Sequence, residues 1–305
     1  MIVLGRGYAE SMAIPADVFD YVRGVFLQAN REVTNTLSNQ PGMSEPALDL
    51  ALIASLQSHA TPHRVGSGWI VRILVHYLGG MRHWGRWEIA DIGLLLFVKE
   101  RSGTTKKVAL LQSKRLYPKS GVVNLDVRLD YEIGFARLAD PEMEHVPIGL
   151  EGTYRFTEDC RYAEIVADSP QMQAIDDHTL KNRIPTYYCL YHPWKLPFTM
   201  TVPITKHRRR RGAPSVGVRI SPAPEVHAAV RAATAGRSPS VKDLAESGAT
   251  TWALEHFVAD ELLACRQGAR FNSVNDEKMQ TLFYRRSGPI AAALSVWIEE
   301  PGVTG

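Results

Sequence analysis

The chain has 305 residues, 45% of them hydrophobic, with Lys+Arg 35 against Asp+Glu 32 and a formal net charge of +3. That length supports a full core, and the near balance of charge excludes a generally polybasic or polyacidic protein, so any affinity for a polyanion must come from local clustering. Cys160, Cys189 and Cys265 stand far apart without a CxxC pair, which argues against a zinc module or a disulfide framework and makes a reduced, cytoplasmic setting the expectation.

The opening "MIVLGRGYAESMAIP" lacks the pattern of an export signal, and the longest apolar run, "IGLLLFV", is too short to span a bilayer. In "IPADVFDYVRGVFLQANREVTNTLS" the residues Val18, Tyr21, Val22, Val25 and Phe26 recur at helical spacing and predict a helix. After the break at Pro41-Gly42 a second helix is expected, with Ser44 as N-cap, Pro46 in the first turn, and Leu48, Leu52, Ile53 and Leu56 as its apolar stripe. Glu45 and Asp49, four apart, share one face of it.

From Trp69 the pattern becomes strand-like: "WIVRILVHYL", "WEIADIGLLLFVK" and "KKVALLQSK", joined by short polar or glycine-bearing connections, read as a three-stranded antiparallel meander. "LDVRLDYEIGFARLADP" reads as helical in part. "SPQMQAIDDHTLKN" reads as a short helix that crosses over into a buried strand, "IPTYYCLYHPW". Tyr187, Cys189 and Tyr191 alternate there as core residues do. The basic run His207 to Arg211 marks a surface loop, "SPAPEVHAAVRAATAGRSPS" a short helix between loops, "TWALEHFVADELLACRQG" a further helix, and "PIAAALSVWIEEP" a strand or a last helix. The expected division is a core over residues 1–205 and a mostly helical extension, residues 206–305, packing on it.

Asp91, Gln112 and Lys114 interrupt otherwise apolar strands. A buried polar group without a partner costs roughly 1–3 kcal/mol, so such residues need a reason. If the two strands form a hairpin, Asp91 at the start of one and Gln112 and Lys114 at the end of the next return to the same end of the sheet, and residues two apart share a face. The spacing of 21 residues between Asp91 and Gln112 suits two strands and a turn. Acid, long gap, acid or amide, any residue, lysine resembles the PD-(D/E)xK nuclease superfamily in a QxK form. The resemblance extends over the helix, three strands, helix and strand that run from the second helix to "YYCLYHPW".

What the resemblance implies is a mixed α/β fold with a restriction-endonuclease-like αβββαβ core and an added C-terminal helical portion. It further implies hydrolysis of DNA phosphodiester bonds with Mg²⁺ or Mn²⁺, in which Asp91 and Gln112 hold the ion and Lys114 attends the attacking water. Glu45 matches the place of an acid on the helix before the strands, with Asp49 and then Glu88 as other choices for completing the site. Ala90 stands where the family has proline, and Gln112 where it has an acid, which removes one negative charge from the ligand set. Members of the superfamily act in bacterial defence against phage or foreign DNA, which would give this chain a homo-oligomer or an operon-encoded partner protein. The alternative is a nuclease fold without activity, kept as a binding module in a defence or DNA-processing complex.

Arg208, Arg209, Arg210 and Arg211 are candidates for phosphate contacts, since guanidinium groups bind phosphate in bidentate fashion, and Lys106, Lys107 and Arg115 flank the motif and are candidates to guide the backbone. His59, His63, His76 and His83 have no metal-ligand spacing. There is no P-loop, no Rossmann glycine fingerprint and no G-x-S-x-G elbow.

Overall fold

A computed structural model of the chain describes residues 14–78, 89–124, 151–202, 208–233, 237–273, 275–283 and 290–303. The two N-terminal helices form as the periodicity predicts. Helix α1, Ala16–Asn39, buries Val18, Val22, Val25, Phe26, Ala29, Val33 and Leu37. Helix α2, Glu45–Gln57, starts after Ser44 and buries Leu48, Leu52, Ile53 and Leu56 against α1 and the sheet.

The strands then run β1 (His63–Arg64), β2 (Ile70–Tyr77), β3 (Ala90–Glu100), β4 (Gly103–Arg115), β5 (Lys119–Asn124) and β6 (Glu151–Phe156). Helix α3 (Pro170–Asn182), capped by the Ser169 hydroxyl, leads into β7 (Thr186–Tyr191), followed by β8 (Phe198–Val202) and β9 (Arg219–Pro222). Next come α4 (Ala223–Ala232), α5 (Val241–Glu246), β10 (Trp252–Ala253), a helical turn α6 (Leu254–His256) that continues as a π-helix over Phe257–Leu263, β11 (Ala269–Arg270), α7 (Glu277–Phe283) and β12 (Ile290–Glu299). The segment 125–141, expected to be partly helical, lies outside the described residues, as do His83, Glu88 and His207.

Among the described residues nine strands make one mixed sheet in the order β1-β2-β12-β3-β4-β7-β9-β10, with β11 pairing the outer half of β4; β5, β6 and β8 form a separate antiparallel sheet. The expected meander is corrected at one point. β3 and β4 are an antiparallel hairpin, but β2 is not beside β3, because β12 lies between them, antiparallel to β2 and parallel to β3. The expected split at residue 205 does not follow the sheet either: β9 and β12 come from the supposed extension, yet β12 is internal to the sheet. Its residues Ala292, Ala293, Leu294 and Val296 are buried, so the apolar run that fitted a helix equally well is satisfied by having a strand on each side and cover on each face.

β4 is parallel to β7, with Gln112 opposite Tyr188 and Lys114 opposite Leu190. β7 is buried at all six positions, as is β4 from Lys107 to Arg115. Gly93, two residues beyond Asp91, lets the Phe283 ring of α7 lie directly on the strand; a Cβ there would fall 2.3 Å from that ring. No helix among the described residues is long and apolar enough to cross a membrane.

Candidate functional site

The β3–β4 hairpin, the parallel β4–β7 pair and the N-terminal turn of α2 bring Asp91, Gln112, Lys114, Glu45 and Asp49 to one end of the sheet. The antiparallel register, Ile92 opposite Leu111, sets Asp91 beside Gln112. The Asp91 Oδ2 accepts from Gln112 Nε2 at 2.5 Å and from the Ser113 backbone N–H at 2.7 Å. This fixes the Gln112 amide: its nitrogen faces the carboxylate, so its Oε1 is the other corner, and that oxygen is buried without a hydrogen-bond partner.

Ser113 is the link that sequence reasoning passed over. While its N–H holds Asp91, its hydroxyl donates to Asp49 Oδ1 at 2.5 Å, and the Tyr191 hydroxyl at the end of β7 donates to the same oxygen at 2.5 Å. Tyr191 is buried as a core residue should be, but its hydroxyl is spent on Asp49. The alternation of β4 would have flagged Ser113 only as the residue facing away from Gln112.

Lys114 is 4% exposed. Its Nζ lies 3.3 Å from Glu45 Oε2 and 3.4 Å from Glu164 Oε2, and the Glu45 Oε1 accepts the Arg115 backbone N–H at 2.9 Å. Glu45 opens α2, where the exposed N–H groups of a helix start favour negative charge. The Arg115 guanidinium donates to the carbonyls of Pro41 and Met43 and lies 4.5 Å above the Tyr117 ring, which pins the loop that delivers Glu45. Glu164 has no periodic or motif signal, and only its place in the fold reveals it.

The charges in this cluster are unequal. Burial pushes Glu45 up to about 7 against the pull of Lys114, and burial pushes Asp49 up to about 6 although Ser113 and Tyr191 hold its anion. Burial opposes ionisation of Lys114, but Glu45, Asp91 and Glu164 outweigh it and hold the ammonium above its ordinary value. Glu164 is likewise opposed by burial yet held below the usual carboxylate range by Tyr117, Glu45 and Lys114, so of the neighbouring pair Glu164 ionises first and Glu45 last.

A carboxyl with a raised folded pKa binds its proton more tightly when folded, so its stabilising contribution is complete below the unfolded value and is lost as pH rises through the folded one. Glu45 and Asp49 therefore contribute stability to the metal-free protein that is lost between about pH 4 and pH 7, the window set by Asp49 (3.8 to about 6) and Glu45 (4.5 to about 7), while the buried His192, held down to about 4, acts in the opposite sense. Thermal melts of the parent and Glu45→Gln over that range isolate the Glu45 part: the parent's advantage over the variant should shrink as pH rises. A difference that grows toward pH 8 would contradict it.

Three candidates for backbone guidance are corrected. Lys107 is 1% exposed and donates to the carbonyls of Leu262 and Gln267; the strand that should have shown it to solvent is covered by the π-helix. It and Lys106, whose Nζ donates to Asn272 O at 2.9 Å, also sit five or more positions from Gln112 along β4, roughly 16 Å or more at strand rise. Arg115 is buried in the contacts described above and presents nothing to a ligand.

The arginine run is different. Its backbone is laid along α1 by an asparagine ladder: Asn39 exchanges hydrogen bonds with Arg208 N and O, Asn35 Oδ1 accepts from Arg210 N at 3.2 Å, and Arg31 donates to Gly212 O at 2.6 Å. Arg208, Arg209 and Arg211 are exposed, while Arg210 lies 5.6 Å over the Phe198 ring. Asn39, which holds Arg208, directly precedes the loop that Arg115 holds and that ends at Glu45.

Among the described histidines, His59 and His63 pack on Tyr21 and His76 meets Ser295; no group of three or more His, Cys, Asp or Glu side chains among the described residues is arranged to hold a metal ion. No family model, no curated protein and no solved structure matches the chain.

Proposed function

We propose that the chain is a metal-dependent nuclease of the PD-(D/E)xK kind, hydrolysing DNA phosphodiester bonds at the Asp91–Gln112–Lys114 cluster. The observation that carries this reading is the convergence of those three side chains with Glu45 at one sheet end, in a strand otherwise covered on both faces. The order α2, β2, β3, β4, α3, β7 supports the restriction-endonuclease-like core, with β12 as an added central strand.

The residues fit a hard divalent ion in one respect: Gln112 Oε1 is a buried oxygen donor lacking a hydrogen bond, held beside the Asp91 carboxylate. Mg²⁺ is commonly bound through one or two carboxylates with water and substrate phosphate completing its shell, so Asp91, Gln112 and Glu45 make a sufficient protein share. When bound, the ion would polarise the phosphate and lower the pKa of a coordinated water. Lys114 supplies the remaining charge, an ammonium that its carboxylate neighbours keep protonated and that can meet the oxygens on which charge grows in the transition state. Asp49, tied to Ser113 and Tyr191, supports the cluster from the α2 side. A role in defence against foreign DNA extends the same reading.

The direct test is plasmid cleavage with Mg²⁺ or Mn²⁺, lost in EDTA and lost in Asp91→Asn. A protein that binds DNA but never cleaves it would instead be the binding module. The arginine strip has its own test. Replacing Arg208, Arg209 and Arg211 by serine should weaken DNA binding and lower the slope of log K against log[salt] by about 0.9 for each lost phosphate contact. An unchanged slope would make the strip a solvated loop.

A further inference from the structure

We infer that Glu164 and Tyr117 form a clamp on Lys114, which makes Glu164 a positioning residue for the cleavage proposed above, on whose reading this role rests. The Glu164 Oε2 lies 3.4 Å from Lys114 Nζ while its Oε1 accepts the Tyr117 hydroxyl at 2.7 Å. Tyr117 follows Lys114 by three residues, just past the end of β4, so one strand end and its continuation supply both the ammonium and the hydroxyl that orients the ammonium's carboxylate.

Glu164 is carried on the 157–169 connection between β6 and α3, and that connection is firmly seated. Tyr117 N–H donates to Arg161 O at 3.0 Å, Tyr162 N–H donates to Pro239 O at 3.0 Å, and Arg161 also bridges to Ser240. On either side of Glu164 the Tyr162 and Ile165 side chains are buried in the core, and the Tyr162 hydroxyl meets His192. The Glu164 side chain is 50% exposed, yet it reaches inward to a lysine side chain only 5% exposed. A half-exposed carboxylate that is free to rotate gains little from such a pair; the Tyr117 bond removes that freedom.

Glu45 alone does not do the same work. Its Oε1 is committed to the Arg115 N–H, and its Oε2 is the atom that a bound cation and Lys114 would share. If Glu45 turns toward a cation, Glu164 is the carboxylate that still aims the ammonium. Two of the three Lys114 N–H bonds are directed to the two glutamates, and the third is thereby directed as well.

The experiment uses the full chain, Glu164→Gln and Tyr117→Phe, with two readouts. In metal-free protein, competitive acetylation of Lys114 read by peptide mass spectrometry should show a more reactive amine in Glu164→Gln and a smaller change in Tyr117→Phe. In Mn²⁺ with plasmid, Glu164→Gln should lower kcat roughly 10–100-fold with KM little changed, as for a misplaced catalytic group, and Glu164→Asp should recover part of it. Unchanged Lys114 reactivity in Glu164→Gln overturns the clamp. Altered reactivity with parental kcat overturns the positioning role. A parent that cleaves nothing under any divalent ion overturns the nuclease reading and the role in cleavage with it, while the acetylation result still decides whether the clamp exists.

Discussion

Lys114→Ala is expected to slow metal-dependent cleavage by roughly 10²–10³-fold, the loss typical of removing one donor aimed at developing charge. DNA affinity should fall little, because on the proposed reading the exposed Arg208, Arg209 and Arg211 would carry the backbone contacts. The structure adds a cost that a lysine at a strand end would not otherwise carry. Lys114 is buried between two carboxylates, and removing one member of a buried pair costs about 3–5 kcal/mol when the other must stay charged. Glu45 need not stay charged: with its pKa already at about 7, it takes up a proton once the ammonium is gone. The variant should therefore be destabilised less at pH 6 than at pH 8. Denaturant melts at both values, beside single-turnover cleavage, separate chemistry from folding. A folded variant that cleaves at the parental rate would end the catalytic assignment.

Lys107→Ala is expected to cost about 3–5 kcal/mol of stability without touching the reaction. It strips the carbonyls of Leu262 and Gln267 of a charged donor and leaves a void beneath the π-helix; an unpaired buried group costs about 1–3 kcal/mol, and the void adds to that. Lys107→Met fills the void and restores no donor, so it should recover part of the loss. Urea unfolding gives the stabilities, and DNA affinity of the folded variants should match the parent. If Lys107→Ala unfolds at the parental urea concentration but binds DNA poorly, Lys107 is a ligand contact after all.

These two lysines show what the sequence disclosed and what it withheld. Both stand in one strand, but only Lys114 interrupts its apolar run and so signals a partner; Lys107 follows Thr104, Thr105 and Lys106 at the polar start of the strand, where it read as a flanking lysine. For Lys114, Glu45 came into view only through the resemblance, as a ligand on the preceding helix; that the two form an ion pair appears only in the fold. For Lys107 the partners are backbone carbonyls more than 150 residues away, and no local pattern encodes them. Glu164 was hidden for the same reason: it lies in a connection without periodicity, and its place depends on bridges to Tyr117 and Ser240. α1, α2, the β3–β4 hairpin, α3 and β7 were readable because burial on one or both faces leaves a period or an unbroken apolar run. The position of β12 was not, since an apolar run says that a segment is covered and says nothing about which strands cover it.

That position has a consequence for the timing of assembly. During synthesis the hairpin bearing Asp91, Gln112 and Lys114 emerges long before β12, and residues 116–289 must be made before the gap between β2 and β3 can close. Until then β2 and β3 each present an open edge, the kind of surface that invites pairing with other chains. Closing the gap requires contacts distant in sequence, which makes it a late and slow event. A nascent chain that has not yet reached β12 would thus carry every residue of the Asp91–Gln112–Lys114 cluster without the strand that pairs with β3 on both sides of Asp91.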